Sequence, residues 1–389
     1  MQKNLRRIFI ISSVIASVFL VFFLIYLFAF RSDTSPSVSD SSSDQSVSDV
    51  DVLDGEEETP FSHQAGSIRV LTSVPVLSAV FRSDTENILY YSVDGRVTEI
   101  DSSGSIVNVV SDGAVPDIVG ALWSPDATKA ITRLSSDDGD RLFVYDHNTQ
   151  SSTPLRKGID FALWSYDGSR ILYKYYDSET KERSLNVSFP DGSDWKKIAD
   201  LSYRLVSVQQ IPRSSLVSFW NYPNGFEETK MSVVGISGGD ASDVFTSRFG
   251  ADYLWSPDGL SALVSSIVSR GDERLSLGVI NENGGQYRDL GAPTLASKCV
   301  WSSNSIYVYC AFPSSVPAGS VMPNDYLSKK FDSRDTFWKI HVATGKKERV
   351  VALDEFSDAY DAVNLFLSSS EDALFFTNRS DQFLYRIDL

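Results

Sequence analysis

The chain has 389 residues, of which 42% are apolar and 12% aromatic, so it can bury a large core and does not have the composition of a disordered protein. Its formal net charge of −16 argues against nucleic-acid binding, because that function needs basic patches that displace counterions. Two cysteines and three histidines leave little material for metal or thiol chemistry, and we expect no cofactor and no metal.

The first thirty residues have the pattern of a membrane anchor. Residues 1–7 contain Lys3, Arg6 and Arg7, and residues 8–30 form an uncharged run of 23 residues. As a helix, that run would span a hydrocarbon core of about 30 Å. The alternative is a cleaved signal peptide, but its apolar region would be about 7–15 residues long and would end at a small-x-small site. We expect a cytoplasmic tail followed by an uncleaved, single-pass transmembrane signal anchor, with the N-terminus in the cytoplasm.

Residues 31–66 are rich in Ser and Asp. From residue 32 onward this segment carries nine carboxylates and neither Lys nor Arg. With so few large apolar residues it cannot bury enough surface to offset the entropy cost of ordering. We therefore expect a disordered acidic tether, which holds residues 67–389 outside the cytoplasm at the cell membrane.

From residue 67 onward, short apolar runs alternate with period two between Gly, Asp, Asn and Ser turns, which predicts an all-β domain. The sequence Leu-Trp-Ser-Pro-Asp-Gly at residues 254–259 has clear further copies at residues 122–126 and 163–168. Pro presets the second residue of a turn, Asp hydrogen-bonds to the backbone two residues on, and Gly accepts a positive φ. Each copy therefore marks the end of a strand and a reversal of the chain.

Equivalent anchor positions recur every 41–46 residues, except that the last follows after 66. The anchors are Phe81, Trp123, Trp164, Gln210, Trp255, Trp301 and Leu367. Repeats of about 40–50 residues with four strands are typical of β-propeller blades, so we predict seven blades, with six or eight as alternatives. The last unit has only three strand-like runs, and residues 67–72 form an extra one before the first anchor. We expect this N-terminal strand to become the outer strand of the last blade and close the ring.

The Trp-Ser-Pro-Asp-Gly turn followed by an apolar strand resembles the repeat of the periplasmic TolB propeller and of the propellers attached to prolyl-oligopeptidase-type peptidases. The resemblance covers residues 67–389. It implies the propeller fold, with binding of other proteins as the commonest role in such families. The chain departs from TolB in its membrane anchor and in its seven anchor positions instead of six blades. The peptidases add a hydrolase domain with a nucleophilic Ser, which we do not expect in this chain.

No catalytic constellation is evident in the sequence. It has neither a Gly-x-Ser-x-Gly nucleophile elbow nor a Gly-x-x-x-x-Gly-Lys phosphate loop. His63 lies in the tether, and His147 and His341 lie near turns of different blades, so we expect no histidine-based triad or metal site. Three acidic groups lack the spacing of a calcium loop and are expected to be solvated turns: residues 137–140, 240–243 and 354–361.

Cys299 and Cys310 lie eleven residues apart on the first predicted hairpin of the sixth blade. A cross-strand disulfide is possible there, because such bonds persist outside the cytoplasm. Cys299, however, takes the small core position that Ala121 and Ala162 take in other blades, two residues before the anchor. A free thiol packs well at such a position. We favour a buried free thiol over the disulfide.

The repeat is broken in two equivalent loops, at residues 220–226 of the fourth unit and in an insertion at residues 314–334 of the sixth. Large apolar side chains on loops often mark recognition surfaces, although they can also fold back as local cores. The candidate interaction surface consists of Trp220, Tyr222, Phe226, Met322, Tyr326 and Phe331. We predict a protein-interaction or ligand-binding scaffold whose partners are other extracytoplasmic or envelope proteins. The alternative is a hydrolase or lyase with a site in the central channel.

Overall fold

The computed structural model describes residues 68–389. The predicted cytoplasmic tail, signal anchor and tether lie outside these residues, as does His63. Within the described part of the chain, no helix has both the length and the apolar character needed to cross a membrane.

The described residues form 27 strands, one short α-helix and two turns of 3-10 helix. The first three sheets contain four strands each and follow the chain in order. They are β2 (Val76–Arg82), β3 (Asn87–Ser92), β4 (Val97–Ile100) and β5 (Ile106–Ser111); β6 (Ile118–Trp123), β7 (Lys129–Leu134), β8 (Arg141–Asp146) and β9 (Ser151–Pro154); and β10 (Ile159–Trp164), β11 (Ile171–Tyr176), β12 (Arg183–Ser188) and β13 (Lys196–Asp200).

The next sheet has seven strands, and two further sheets have four. The seven are β14 (Val206–Gln210), β15 (Leu216–Asn221), β16 (Glu228–Gly235), β17 (Ser242–Trp255), β18 (Ser261–Ile267), β19 (Leu275–Asn281) and β20 (Arg288–Ala292). The others are β21 (Cys299–Trp301), β22 (Tyr307–Pro313), β23 (Asp335–His341) and β24 (Lys347–Arg349); and β25 (Ala362–Leu367), β26 (Ala373–Asn378) and β27 (Leu384–Asp388) with β1 (Ile68–Val70). Helix α1 is Asn324–Leu327, and the 3-10 turns are Ala296–Lys298 and Leu353–Glu355.

The seven-stranded sheet consists of two halves that share one continuous strand. The first part of β17 pairs with β16 up to Phe249, and its last part pairs with β18, first at Phe249 and then, after a register shift, from Asp252 to Trp255. Between them, Gly250 has φ +57°, a conformation that glycine adopts without steric cost. The strand therefore changes partners at this glycine instead of ending in a turn.

Strand β1 supplies the fourth strand of the last sheet. It pairs antiparallel with β27, from Ile68 opposite Ile387 to Val70 opposite Tyr385. An ion pair between side chains of the two strands adds to this pairing. Arg69 Nη2 lies 3.0 and 2.8 Å from the two carboxylate oxygens of Asp388. The predicted pairing of the N-terminal strand with the end of the chain is therefore present.

All seven predicted anchors lie at, or one residue before, the end of the first strand of a four-stranded group. The indole of Trp164 donates to the carbonyl of Leu122, at 2.9 Å, and that of Trp301 donates to Leu254, at 3.1 Å. Both acceptors belong to the preceding group of strands. These tryptophans are buried and connect neighbouring groups, as expected for core residues of a repeat.

The turn after each anchor is closed by side-chain hydrogen bonds. In the clearest copy, Ser256 Oγ donates to Asp258 Oδ1 at 2.5 Å and also lies 2.9 Å from the Ser261 carbonyl oxygen. Gly259 has φ +74°, and a Cβ there would clash with the carbonyl of Pro212 in the preceding group. The motif thus shapes the turn and also lets adjacent groups of strands approach closely.

Candidate functional site

Four of the six predicted interaction residues pack into the domain. Trp220, Met322 and Tyr326 are buried, and Phe331 is partly buried. Met322, Tyr326 and Phe331 belong to a local hydrophobic cluster that includes the 314–334 insertion. Their predicted role as exposed contact residues is therefore corrected: burying large apolar side chains stabilises the insertion itself.

The other two predicted residues, Tyr222 and Phe226, are 44% and 48% exposed. They line a cleft of about 970 Å³. Its walls come from residues 203–205, 221–227 and 319–330. Three more exposed apolar side chains line the same cleft: Tyr203, Leu205 and Leu327. The structure therefore brings the fourth-unit loop and the insertion together, as walls of one concave surface.

Amide side chains fasten the two loops to each other. Asn324 Nδ2 donates to Asn224 Oδ1 at 2.9 Å, and the backbone N–H of Gly225 donates to Asn324 Oδ1 at 2.6 Å. Gly225 is required at this point because a Cβ would clash with the carbonyl of Met322. The carbonyl of Gly225 also accepts a hydrogen bond from the Gly271 N–H, at 2.9 Å. This bond connects the fourth-unit loop to the loop between β18 and β19.

A buried ion cluster, consisting of Lys298, Asp335, Asp361 and Arg379, lies next to the insertion. The Lys298 side chain is 1% exposed, and its Nζ lies 2.6 Å from Asp335 Oδ2 and 2.8 Å from Asp361 Oδ1. Arg379 Nη1 lies 3.6 Å from Asp361 Oδ2. Two cations and two carboxylates balance in charge, which a buried set requires.

Tyr326 of α1 ties the insertion to the ion cluster. Its hydroxyl donates to Asp361 Oδ1 at 2.6 Å. The Lys298 ammonium and the Arg379 guanidinium lie 5.0 and 4.3 Å from its ring centroid, at distances typical of cation–π contacts. Arg379 Nη2 also donates to the Tyr326 carbonyl, at 2.9 Å. The insertion is therefore held by charged groups of the 3-10 turn before β21 and of the segments that precede β25 and follow β26.

The protonation states of the ion cluster follow from its contacts. Burial alone would lower the pKa of Lys298, but Asp335, Tyr326 and Asp361 hold that pKa above its ordinary value. Burial raises the pKa of Asp335, although Lys298 opposes the effect. Burial also acts to raise the pKa of Asp361, but Lys298 and the hydrogen bonds of Tyr326 and Ser333 keep it below the ordinary value. Lys298 and Asp361 are thus charged at neutral pH.

The acidic group at residues 354–361 was expected to be a solvated turn. Asp354, Glu355 and Asp358 are exposed, but Asp361 is buried in the ion cluster. That part of the prediction is wrong, because the cations that compensate Asp361 come from Lys298 and Arg379, which are distant in sequence. No local spacing in the sequence signals this pairing.

Asp252, on β17, has the most clearly perturbed carboxyl group near the cleft. Trp220 Nε1 donates to its Oδ1 at 3.0 Å, yet burial raises the pKa of Asp252 to about 6. The pKa of Tyr222 is raised as well, mainly by burial and to a smaller extent by the charge of Asp252. Outside β17, the charged side chains that residues 68–389 carry on the first strands of the groups are Arg82 and Asp160, which lie on two other sheets.

The two described histidines do not meet. His147 Nε2 lies 2.9 Å from the Tyr91 hydroxyl, and its ring stacks on Trp123. Burial lowers the pKa of His147 to about 4, so the ring is neutral at pH 7. His341 lies on a different sheet from the one next to His147. Its Nδ1 accepts a hydrogen bond from the N–H of Thr344, in the turn that follows β23. Within residues 68–389, no group of three or more His, Cys, Asp or Glu side chains is placed to hold a metal ion.

The two cysteines lie opposite each other on β21 and β22. The Cα atoms of Cys299 and Cys310 are 4.1 Å apart, and their sulfur atoms are joined in a disulfide. The favoured expectation of a free buried thiol does not match this arrangement. The position relative to the anchor predicted a small core residue correctly, but the cross-strand register places the second thiol directly beside it.

No protein-family model matches the chain, and no curated protein matches it. Among solved structures, it is similar to an oligogalacturonate lyase in complex with manganese, with 14% identity, a TM-score of 0.61, and coverage of 84% of this chain and 94% of that one. It is also similar to the β-propeller domain of Cps50 (Swd1) from Myceliophteria thermophila, with 7% identity, a TM-score of 0.54, and coverage of 83% and 99%.

TolB from Acinetobacter baumannii is 13% identical over 84% of this chain and 63% of that one, but its TM-score of 0.45 is too low to carry an argument. At identities this low, the similarities show the fold alone. Together with the sheet topology, they establish that the described part of the chain is an all-β domain of the β-propeller class.

Proposed function

We propose that the chain is a membrane-anchored, extracytoplasmic, TolB-like propeller of seven blades that binds another protein through the cleft. Five four-stranded sheets and the two halves of the seven-stranded sheet support the count of seven blades. The uncharged run at residues 8–30 and the acidic segment that follows it support the membrane location. The Trp-Ser-Pro-Asp-Gly repeat supports the TolB-like character.

The cleft carries this proposal, because it concentrates exposed apolar side chains on the two loops that break the repeat. Exposed apolar groups that cluster in a concave surface are typical of binding sites, whereas single exposed apolar residues are ordinary. The five side chains are Tyr203, Leu205, Tyr222, Phe226 and Leu327. Three of them are aromatic, the residue class that supplies most anchors of protein interfaces.

Charged side chains of both signs surround these apolar groups. Arg204, Glu227, Asp325 and Lys330 line the cleft, and Lys330 Nζ lies 2.6 Å from Asp325 Oδ1. An apolar centre with a polar rim is the usual anatomy of a protein interface. The hydrogen bonds between the loops and the nearby ion cluster hold the walls in place before a partner arrives, which lowers the entropy cost of binding.

The interaction is tested by placing a photo-crosslinking amino acid at Tyr222 or Phe226 of the full chain in its native membrane. We expect a discrete cross-linked product at both positions. Tyr166, which has similar exposure but lies on a turn of the third blade, is the control and should give none. A Phe226→Ala change should weaken the product formed at Tyr222. Equal products at Tyr166, or none at the cleft positions, would contradict the proposal.

The proposed topology is tested by adding protease to intact cells or spheroplasts. Because residues 67–389 lie outside the cytoplasm in this proposal, the protease should release or degrade the propeller while cytoplasmic proteins stay intact. Propeller that is degraded only after the cells are lysed would contradict the extracytoplasmic location.

A second candidate function is an enzyme with a site in the central channel, and the raised pKa of Asp252 favours it. The oligogalacturonate lyase similarity suggests the substrate to test. The full chain would be incubated with oligogalacturonate, with and without manganese, beside an Asp252→Asn variant. Formation of unsaturated products that the variant does not form would establish catalysis; no product with either protein would leave this substrate without support.

A further inference from the structure

A cavity of about 260 Å³ lies between the first two sheets. The first sheet contributes residues of β3, β4 and β5 to its wall, and the second contributes residues of β7, β8 and β9. Ser152, on the outer strand β9, is exposed, whereas Thr132, on β7, is buried. The cavity therefore extends inward from a mouth beside the outer strands.

The anchor Trp123, at this interface, differs from the anchors Trp164 and Trp301 in its hydrogen bonding. Those two donate their indole N–H to a carbonyl of the preceding group. The Trp123 Nε1 is also buried, but it has no hydrogen-bond partner among residues 68–389. Its ring instead stacks on that of His147, with the ring centroids 4.9 Å apart. The first two groups of strands therefore meet through aromatic rings and a cavity, without the bond that links other neighbouring groups.

Four of the residues that line the cavity carry aromatic rings: Tyr91, Phe143, Tyr145 and His147. The rings hold one another in place, because Tyr145 meets His147 edge to face, with centroids 4.8 Å apart, and the Tyr91 hydroxyl lies 2.9 Å from His147 Nε2. Aromatic rings prefer offset-stacked or edge-to-face contacts with one another. The wall is thus built in advance for a flat aromatic molecule.

The lining of the cavity is uncharged. Among the described residues that form it, none is Asp, Glu, Lys or Arg. Burial lowers the pKa of His147 to about 4 and raises the pKa of Tyr91, so both side chains are neutral at pH 7. A charged ligand would lose its hydration here without gaining a counter-charge, which is costly. The cavity therefore favours a neutral molecule.

Two hydroxyl groups of the lining are free to bond to a ligand. Thr132 is only 8% exposed, and no hydrogen bond joins its hydroxyl to another of residues 68–389. The same holds for the hydroxyl of Tyr145. Buried polar side chains are usually paired. A hydroxyl or ring N–H of a bound molecule would supply the missing partner.

The volume of the cavity limits the size of its ligand. An apolar cavity of about 150 Å³ binds benzene, and pockets for drug-sized ligands start at about 300 Å³. We propose that this cavity binds an uncharged aromatic molecule of one or two rings that carries a hydroxyl or a ring N–H. The rings of Phe143 and Tyr145 contact the aromatic part, and the Thr132 hydroxyl pairs with the polar group. This site is separate from the cleft and does not depend on it.

The test measures binding of small probes to the full chain in nanodiscs by equilibrium dialysis at pH 7.5, with empty nanodiscs as the background. The probes are indole, indole-3-carboxamide and indole-3-carboxylate, of which the last two match in size but differ in charge. We expect saturable binding of indole and of the amide, at one molecule per chain. The carboxylate should bind at least about tenfold more weakly than the amide, because the cavity offers no counter-charge.

Two substitutions locate the bound indole. Ser111→Phe puts a ring into the cavity and should weaken binding by about tenfold or more. Thr132→Val keeps the size and shape of the side chain but removes its hydroxyl, and should weaken binding about fivefold with little change in Tm. The control is Ser151→Phe, which adds the same ring to the exposed residue beside Ser152, on the opposite face of β9, and should leave binding unchanged.

The proposal would be overturned by indole uptake that does not exceed that of empty nanodiscs, or by equal binding of the amide and the carboxylate. Equal losses with Ser111→Phe and Ser151→Phe would also overturn it, because the binding site would then lie outside the cavity. Unchanged indole binding with Thr132→Val would rule out the hydrogen bond on which the polar group of the ligand depends.

Discussion

At the scale of single residues, Lys298 shows how this β domain holds a charge in its interior. Its ammonium group contacts two carboxylates and the carbonyl of Ala362, at 2.9 Å, so each of its three protons has an acceptor. Asp335 belongs to the sixth blade of the proposed ring, and Asp361 immediately precedes the first strand of the seventh. The buried ion cluster therefore joins two neighbouring blades as well as the insertion.

We expect Lys298→Met to lower the free energy of unfolding by about 3–5 kcal/mol, because it leaves buried carboxylates without a compensating cation. Urea unfolding followed by tryptophan fluorescence measures the change. The matched control is Lys330→Met, which removes an exposed partner of Asp325 and should cost less than about 1 kcal/mol. Similar losses for the two variants would show that the cluster does not behave as a buried charge set.

Asp252 gives a pH-dependent prediction. Because its pKa is about 6 in the folded protein and about 4 in an unfolded chain, the folded state binds more protons between these values. Its contribution to stability therefore falls as pH rises from about 4 to 6. Asp252→Asn removes this penalty and should stabilise the protein by about 1–2 kcal/mol at pH 7.5, with little difference near pH 4. A variant that is less stable at pH 7.5 would contradict the raised pKa.

The residues that the sequence predicted best are those with a repeated local role. Every anchor, including the degenerate Gln210, falls at the end of the first strand of a four-stranded group or, for Phe81, one residue before it, because turn chemistry and spacing act locally. The pairing of Lys298 with Asp361 and the bond between Cys299 and Cys310 depend on contacts across strands. A single sequence carries the residue types for such contacts but not the register that brings them together.

At the scale of structural elements, the insertion between β22 and β23 is more than an exposed loop. Its Met322 and Tyr326 are buried, and only part of its surface lines the cleft. The sequence predicted a recognition loop from its apolar residues and also allowed a local core. The local core is present in Met322 and Tyr326, and the recognition role of the exposed side chains is part of the proposal, because periodicity cannot assign an inward or outward direction to residues in an irregular loop.

We expect Tyr326→Phe to loosen the insertion while the sheets stay intact. The change removes the hydroxyl that donates to Asp361 and leaves a buried carboxylate oxygen with one hydrogen bond fewer, which typically costs about 1–3 kcal/mol. Amides of residues 319–330 should then exchange with deuterium about tenfold faster or more, whereas those of β26 should not change. The exposed Tyr166→Phe serves as the control. Uniformly faster exchange throughout the domain would show that the hydroxyl supports the whole fold.

The strands themselves were largely predictable, with one instructive exception. The repeat was expected to consist of separate four-stranded units, but β17 runs through 14 residues from the outer edge of one unit into the first strand of the next. Gly250, where it changes partners, has a positive φ and lies within the strand instead of at a tight turn. A glycine in an extended run signals an irregularity but does not specify which one.

At the scale of the whole molecule, the central claim is that the N-terminal strand closes the ring. Strand β1, at the start of the described residues, pairs with β27, near their end. The Leu71 N–H also donates to the Leu384 carbonyl, at 2.8 Å. Thr72 Oγ1 accepts from the Leu384 N–H, at 3.1 Å. In the proposed ring, this pairing would close the last blade.

The most direct test compares the thermal unfolding of two deletion variants, both made in a chain that lacks the proposed membrane anchor. Deleting residues 67–72 removes several hydrogen bonds, each worth about 0.5–1.5 kcal/mol, and opens the ring, so Tm should fall by more than those bonds alone account for. Deleting residues 41–57 removes more of the chain, but only from the segment predicted to be an acidic tether, and should leave Tm almost unchanged. If the two deletions lower Tm equally, β1 does not close the propeller, and the account of seven blades is contradicted.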